Sequence, residues 1–336
     1  MHPSLDTPGD RRRFVFYAKL RGIQFEIADP NKNYDYIVLS QRADLSVWGK
    51  RQQDNCKIIY DCIDSYIMMP RTDPKALLRG LAKFLSRQSK HLQLSHWRAI
   101  EEMCENSAAV ICSTPEQRAV LQQYCPNTHI ILDAHPECAQ QKTDYSTKKP
   151  FKLVWEGFGE NLRWFSDIAE TLNSLARKHS IELHIFTNLT YGKYLSSIGM
   201  SSSAELIHKY IPDAIVHPWQ ADTVSQGIID CDLALIPVDL NNAFAAGKPI
   251  NKLLFFWRMG MPTVVSATPA YKQAMQAANL RMACSSKAQW NETLLRYMTS
   301  ENLRREAGEK GRTYAQSQFN TQSLAEKWDE LFRSII

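Results

Sequence analysis

Apolar residues along the chain gather into short runs separated by longer amphipathic stretches, and the two alternate from end to end. Residues 11–22 repeat at helical spacing and stop at Gly22, and 23–28 (IQFEIA) alternate apolar and polar in the manner of a strand. Residues 36–40 (YIVLS), 57–60 (KIIY), 108–112 (AAVIC) and 129–132 (HIIL) are continuous apolar runs, as expected of strands covered on both faces. A helix is predicted over 97–105. Thr114-Pro115-Glu116 then supplies the next helix with an N-cap, a first-turn proline and an acid beside its dipole.

The polar, aperiodic stretch 139–150 (AQQKTDYSTKKP) is predicted to be an interdomain linker. After it the alternation starts again. Strands are predicted over 152–155, 182–187, 214–217, 232–237 and 262–266, and helices up to about 178, over 250–259 and from about 302 onward. In the tail, Leu324, Trp328, Leu331 and Phe332 fall on one stripe. Strands separated by helices imply mostly parallel sheets covered on both faces. The expected class is α/β, with an N-terminal unit over 1–138, the linker, a second unit over 151–312 and a helix over 313–336 crossing back to the first.

At 336 residues two domains are the natural expectation. No apolar run approaches the roughly 18 residues needed to span a bilayer, and the N-terminus does not read as a secretory signal. Eight cysteines without a CxxC read as buried thiols in a reducing compartment, so a cytoplasmic location is expected and structural zinc is not. The net charge of +5 is unevenly spread. Between Asp73 and Glu101 no acid occurs, while Lys75, Arg79, Lys83, Arg87, Lys90 and Arg98 do, and leucines repeat at helical spacing among them. The run 75–98 is equally consistent with contact with an anionic membrane surface or a phosphate-rich acceptor and with an ordinary solvated helix face. It is too small a footprint for nucleic acid. No G-x-G-x-x-G follows any strand, which disfavours a nicotinamide dehydrogenase.

The segment 232–271 (DLALIPVDLNNAFAAGKPINKLLFFWRMGMPTVVSATPAY) carries a strand ending at Pro237, Lys252 opening a helix, Gly260 and Pro262 closing it, and a Val264-Val265 strand. It resembles the nucleotide-sugar half of the retaining, family-four-like group of GT-B glycosyltransferases. Residues 153–157 (LVWEG), 60–66, 108–114 and 130–135 match the same group in order. The resemblance implies two Rossmann-like domains facing a cleft, and transfer of a sugar from a nucleotide-sugar donor to a glycan or lipid-linked acceptor. It implies no metal and no other cofactor, with a lysine and a helix dipole in the metal's place.

The residues suit that chemistry. A leaving diphosphate needs fixed positive ends, and a helix onset with Lys248 and Lys252 supplies them, Asn251 being placed to cap the helix. Gly157 and Gly159 would let backbone approach phosphate, with Glu156 and Asn161 beside them. His217 and Trp219 end another strand and would place an aromatic near the base. On the acceptor side, Asp61, Asp64 and His135, with Asp133 nearby, are candidates for orienting a hydroxyl or acting as base. Asp230-Cys231-Asp232 imitates a metal-binding DxD, but it sits where a helix or turn is capped. One departure stands out. Where the group carries a ribose-binding glutamate, this chain has Phe255. A non-catalytic partner subunit on the same fold, or a nucleotide-sugar epimerase, therefore stays open beside the transferase.

Overall fold

Because the apolar runs of the first half are buried on both faces, they assemble into a parallel sheet. The computed structural model describes residues 5, 7–49, 56–63, 67, 84, 89–92, 95–192 and 199–336. Asp64 and most of the basic run 75–98 lie outside the described residues. Two units divide the chain, Met1–Ala134 with Thr321–Ile336, and His135–Asn320.

In the first unit β1 (Tyr36–Ser40), β2 (Lys57–Asp61), β3 (Ala109–Cys112) and β4 (Thr128–Ile130) pair in sequence order, all parallel. Strand alternation sorts the side chains onto two faces. Ile58, Tyr60, Val110 and Cys112 join a cluster with Ile100 and Met103 of the helix His96–Glu105. Ile59, Ala109 and Ile111 join another with Trp328 and Leu331 of the final helix Thr321–Ile335. Tyr17 completes this second face, its ring stacked on Trp328 at 5.5 Å and its hydroxyl donating to Asp329 at 2.9 Å.

Two local expectations change. The predicted helix 11–22 is split into Pro8–Arg11 and Phe14–Arg21, closed by Gly22 at φ 67°. Residues 23–28 form no strand. Ile23, Phe25 and Ile27 are 39%, 42% and 46% exposed, and alternation without a ladder partner does not make a strand.

In the second unit six parallel strands form one sheet: β5 (Phe151–Glu156), β6 (Ile181–Thr187), β9 (Ile215–Pro218), β10 (Leu233–Ile236), β11 (Thr263–Ser266) and β12 (Ala283–Cys284). A small antiparallel hairpin, β7 (Thr190–Gly192) and β8 (Met200–Ser202), follows β6. The strand order is β12-β11-β10-β5-β6-β9. The chain winds outward from β5 through β6 to β9, returns to place β10 against the other side of β5, and winds the opposite way. The order reverses between β5 and β10.

The stretch 139–150 is packed onto this second unit. The Lys142 amide donates to the Met259 carbonyl at 2.8 Å, and its buried ammonium reaches the carbonyls of Ile229 and Cys231 at 3.0 and 2.8 Å. The Tyr145 hydroxyl donates to Gly260 O at 2.9 Å, and Arg304 donates to Tyr145 O. These bonds fix the segment where its composition suggests a loose connection. The helix Glu301–Gln318 lies against Asn251–Arg258 at Gly311, where a Cβ would run into the Trp257 ring.

Candidate functional site

In open α/β sheets ligands bind beyond the carboxyl ends of the strands, at the point where strand order reverses. Here that point lies between the turn after β5 and the loop and helix after β10. Gly157 leads the first with φ 151°, a backbone that side chains rarely adopt. A Cβ there would overlap the Lys252 ammonium and press on the Trp155 ring. Lys252 therefore reaches from the first turn of the helix Asn251–Arg258 to the turn after β5, with its Nζ 4.3 Å from the centroid of the Trp155 ring.

Four residues earlier, Lys248 points at the same turn. Its Nζ lies 4.3 Å from the Trp164 ring centroid, and a long 3.5 Å contact joins it to Asn161 Oδ1. The turn itself is fixed from the neighbouring strand. Thr187 Oγ1 donates to Gly157 O at 2.6 Å, Asn188 Oδ1 accepts from the Gly159 amide at 2.9 Å, and Ser203 Oγ donates to Asn188 O at 2.5 Å. The Trp219 amide donates to Thr187 O at 2.9 Å, which holds Trp219 at the carboxyl end of β9, beside β6. Glu156 is the buried last residue of β5.

Four sequence readings take another form. Asn251 does not cap its helix. The cap position is Ile250 and no side chain bonds there, so Asn251 is the first helical residue. His217 is built into the sheet rather than its rim. It stacks on His184 at 5.2 Å and on Phe186 at 4.6 Å, and its Nε2 meets His184 Nδ1 at 3.0 Å. Burial and the neighbouring His184 hold it below the ordinary histidine value. His135 is buried with its ring edge-on to Phe255 at 5.6 Å, so the residue standing where a glutamate was expected forms part of an aromatic contact.

Asp61 is the clearest change. It is 2% exposed, and both its oxygens accept from Arg13, at 2.5 and 2.7 Å, while a third Arg13 nitrogen donates to Asp133 at 3.0 Å. Burial pushes its carboxyl above the ordinary value, against the pull of Arg13. A carboxylate so enclosed is tied through Arg13 to Asp133 within the first unit.

Asp232 lies at the opposite ends of the strands from Gly157, with Oδ2 accepting from the Lys152 amide at 2.7 Å, and Asp230 ends the helix Val224–Ile229. Trp155, Trp164, Thr187 and Asn188 were not singled out in the sequence. The available signal was a Thr-Asn pair directly after a strand, beside a glycine turn.

No protein-family model matches the chain, and no curated protein matches it in sequence. Solved structures do match in fold. Sucrose-phosphate synthase from Thermosynechococcus elongatus aligns over 96% of this chain and 76% of its own, at 15% identity and a TM-score of 0.61. A TarM variant from S. aureus, solved with fondaparinux, α-GlcNAc-glycerol and UDP, aligns over 88% of this chain and 55% of its own, at 13% identity and 0.61. HepE from Anabaena, solved with UDP, aligns over 90% and 79%, at 12% identity and 0.58. With its doubly wound second unit, the chain has the GT-B fold of the glycosyltransferases.

Proposed function

We propose that the protein is a glycosyltransferase, moving a sugar from a nucleotide-sugar donor to a glycan or lipid-linked saccharide acceptor in polysaccharide or glycoconjugate biosynthesis. One observation carries the reading: the Lys252 ammonium lies against the Gly157 turn at the point of strand reversal. In the reaction the acceptor hydroxyl oxygen bonds the anomeric carbon and gives up its proton to the leaving phosphate or to solvent, and the bond from that carbon to the diphosphate oxygen breaks. The diphosphate then leaves with added negative charge. Lys252, Lys248 and the open onset of the helix Asn251–Arg258 supply the positive charge that a metal would otherwise bring. Trp219, at the rim of the same sheet, would stack on the base.

Two of the matched proteins were solved with UDP, which makes UDP the first nucleotide to titrate. The enzyme would act in the cytoplasm. Where the acceptor is lipid-linked, the basic run 75–98 would meet the inner face of the membrane. Lys252→Ala should lower turnover by about 100-fold or more while leaving the melting temperature unchanged. Near-normal turnover would refute the assignment.

Phe255 favours a second reading, a non-catalytic partner subunit, because a buried aromatic ring cannot bond a ribose. Calorimetry with UDP, GDP, ADP and CMP separates the two, since a scaffold would bind none of them.

A further inference from the structure

The first unit leaves one extended stretch of backbone exposed beside a row of rings. From Gly22 to Ile27 every residue is exposed, and 23–28 run without turn or bend between the helix Phe14–Arg21 and the turn at Pro30. Among the described residues none bonds the backbone of 24–28. Ile23, Phe25 and Ile27 alternate with Gln24 and Glu26, and Phe25 ends an aromatic row. Its ring meets Phe14 edge-on at 5.4 Å, Phe14 meets Phe332 at 6.3 Å, and Phe332 meets the exposed Tyr36 at 6.1 Å. Contiguous apolar groups facing water mark an interaction surface, and an extended segment offers its amides and carbonyls to another chain.

The chemistry of the segment selects its occupant. No cation lies between Arg21 and Lys32, and those two are held by acids, Arg21 by Asp329 and Lys32 by Glu26. An anionic lipid surface or a nucleic acid therefore finds no positive charge along 22–31. The segment is instead complementary to itself. Laid antiparallel on a second copy about Phe25, Ile23 falls opposite the partner's Ile27, Phe25 opposite the partner's Phe25, and Gln24 opposite the partner's Glu26. Apolar side chains then meet on one face, and on the other each Gln24 amide donates to a carboxylate. A slip of one residue would set Phe25 against Gln24 and Ile23 against Glu26, so the register is specified. We propose that residues 23–28 join two copies of this chain as paired antiparallel strands, with the twofold axis at Phe25. Such an axis uses the same edge of each copy and closes at two chains.

Light scattering of the full chain over a concentration series tests it, with melting of each variant to confirm folding. The mass should rise from one chain to two and stop there. Phe25→Asp sets two like charges opposite each other at the axis and should raise the dimer dissociation constant about 30-fold or more. Ile27→Asp serves in its place if Phe25→Asp does not fold, because Phe25 rests on Phe14. Cysteine variants read the register under mild oxidation, with the unaltered chain as control. Phe25→Cys should cross-link to itself. Ile23→Cys should cross-link to Ile27→Cys in mixed samples and not to itself, since the two Ile23 positions lie about 13 Å apart in this register. A single-chain mass at every concentration, a dimer indifferent to both aspartate substitutions, growth beyond two chains, or self-linking of Ile23→Cys would overturn the proposal. Binding of a single chain to phosphatidylglycerol vesicles, lost in Phe25→Asp, would also overturn it and give the surface to lipid.

Discussion

The two sheets present charge at their carboxyl ends in opposite ways. In the first unit the described strands run in sequence order, β1 to β4, with no reversal. The charges gathered at the end of β2 and past β4 close on one another, with Arg13 enclosed between Asp61 and Asp133. In the second unit the order reverses between β5 and β10, and the lysines there rest on neutral ring faces beside a glycine turn. Arg13 is held between two carboxylates that cancel its charge, whereas the rings beside Lys248 and Lys252 are neutral.

That contrast can be broken from either side. The largest effect is expected from Arg13→Met, which leaves two buried carboxylates facing each other and should cost about 3–5 kcal/mol in urea unfolding. Nucleotide affinity of the folded fraction should not change, and a loss of affinity would erase the distinction between the units. Gly157→Ala comes next. Its strained backbone and the overlap with Lys252 should cost about 1–3 kcal/mol and weaken nucleotide binding together, read by melting and by calorimetry. Unaltered binding would mean that the turn does not face the ligand.

The smallest effect concerns His217. Since its folded value lies below the ordinary 6.5, the unfolded chain takes up a proton that the native state resists. Stability is therefore fully present above pH 6.5, declines as pH falls through 6.5 toward the lowered value, and levels off below it. His217→Phe, which keeps the stack on Phe186, should flatten that decline in melting scans from pH 7.5 to 5. An unchanged slope would place the titration elsewhere.

Local signals made much of this legible. Continuous apolar runs such as 36–40 and 108–112 read as strands because burial on both faces leaves no polar positions among them. Lys252 and Gly157 were readable because a helix onset and a glycine after a strand are local patterns. Long-range pairings were hidden. Arg13 meets Asp61 across 48 residues and Asp133 across 120, and no local pattern marks either contact. Trp155 looked like any strand residue until Lys252, far along the chain, was placed on its ring. Residues 23–28 misled in the other direction, since their alternation is that of a strand but the described sheet offers them no neighbour.

The bonds of residues 139–150 bear on how the chain could be cut. A recombinant second half begun at Phe151 would strip the Met259, Gly260, Ile229 and Cys231 carbonyls of their donors and uncover the surface that Tyr145 occupies. The natural place to separate the halves is ahead of His135, so a fragment meant to bind nucleotide on its own should carry those sixteen additional residues.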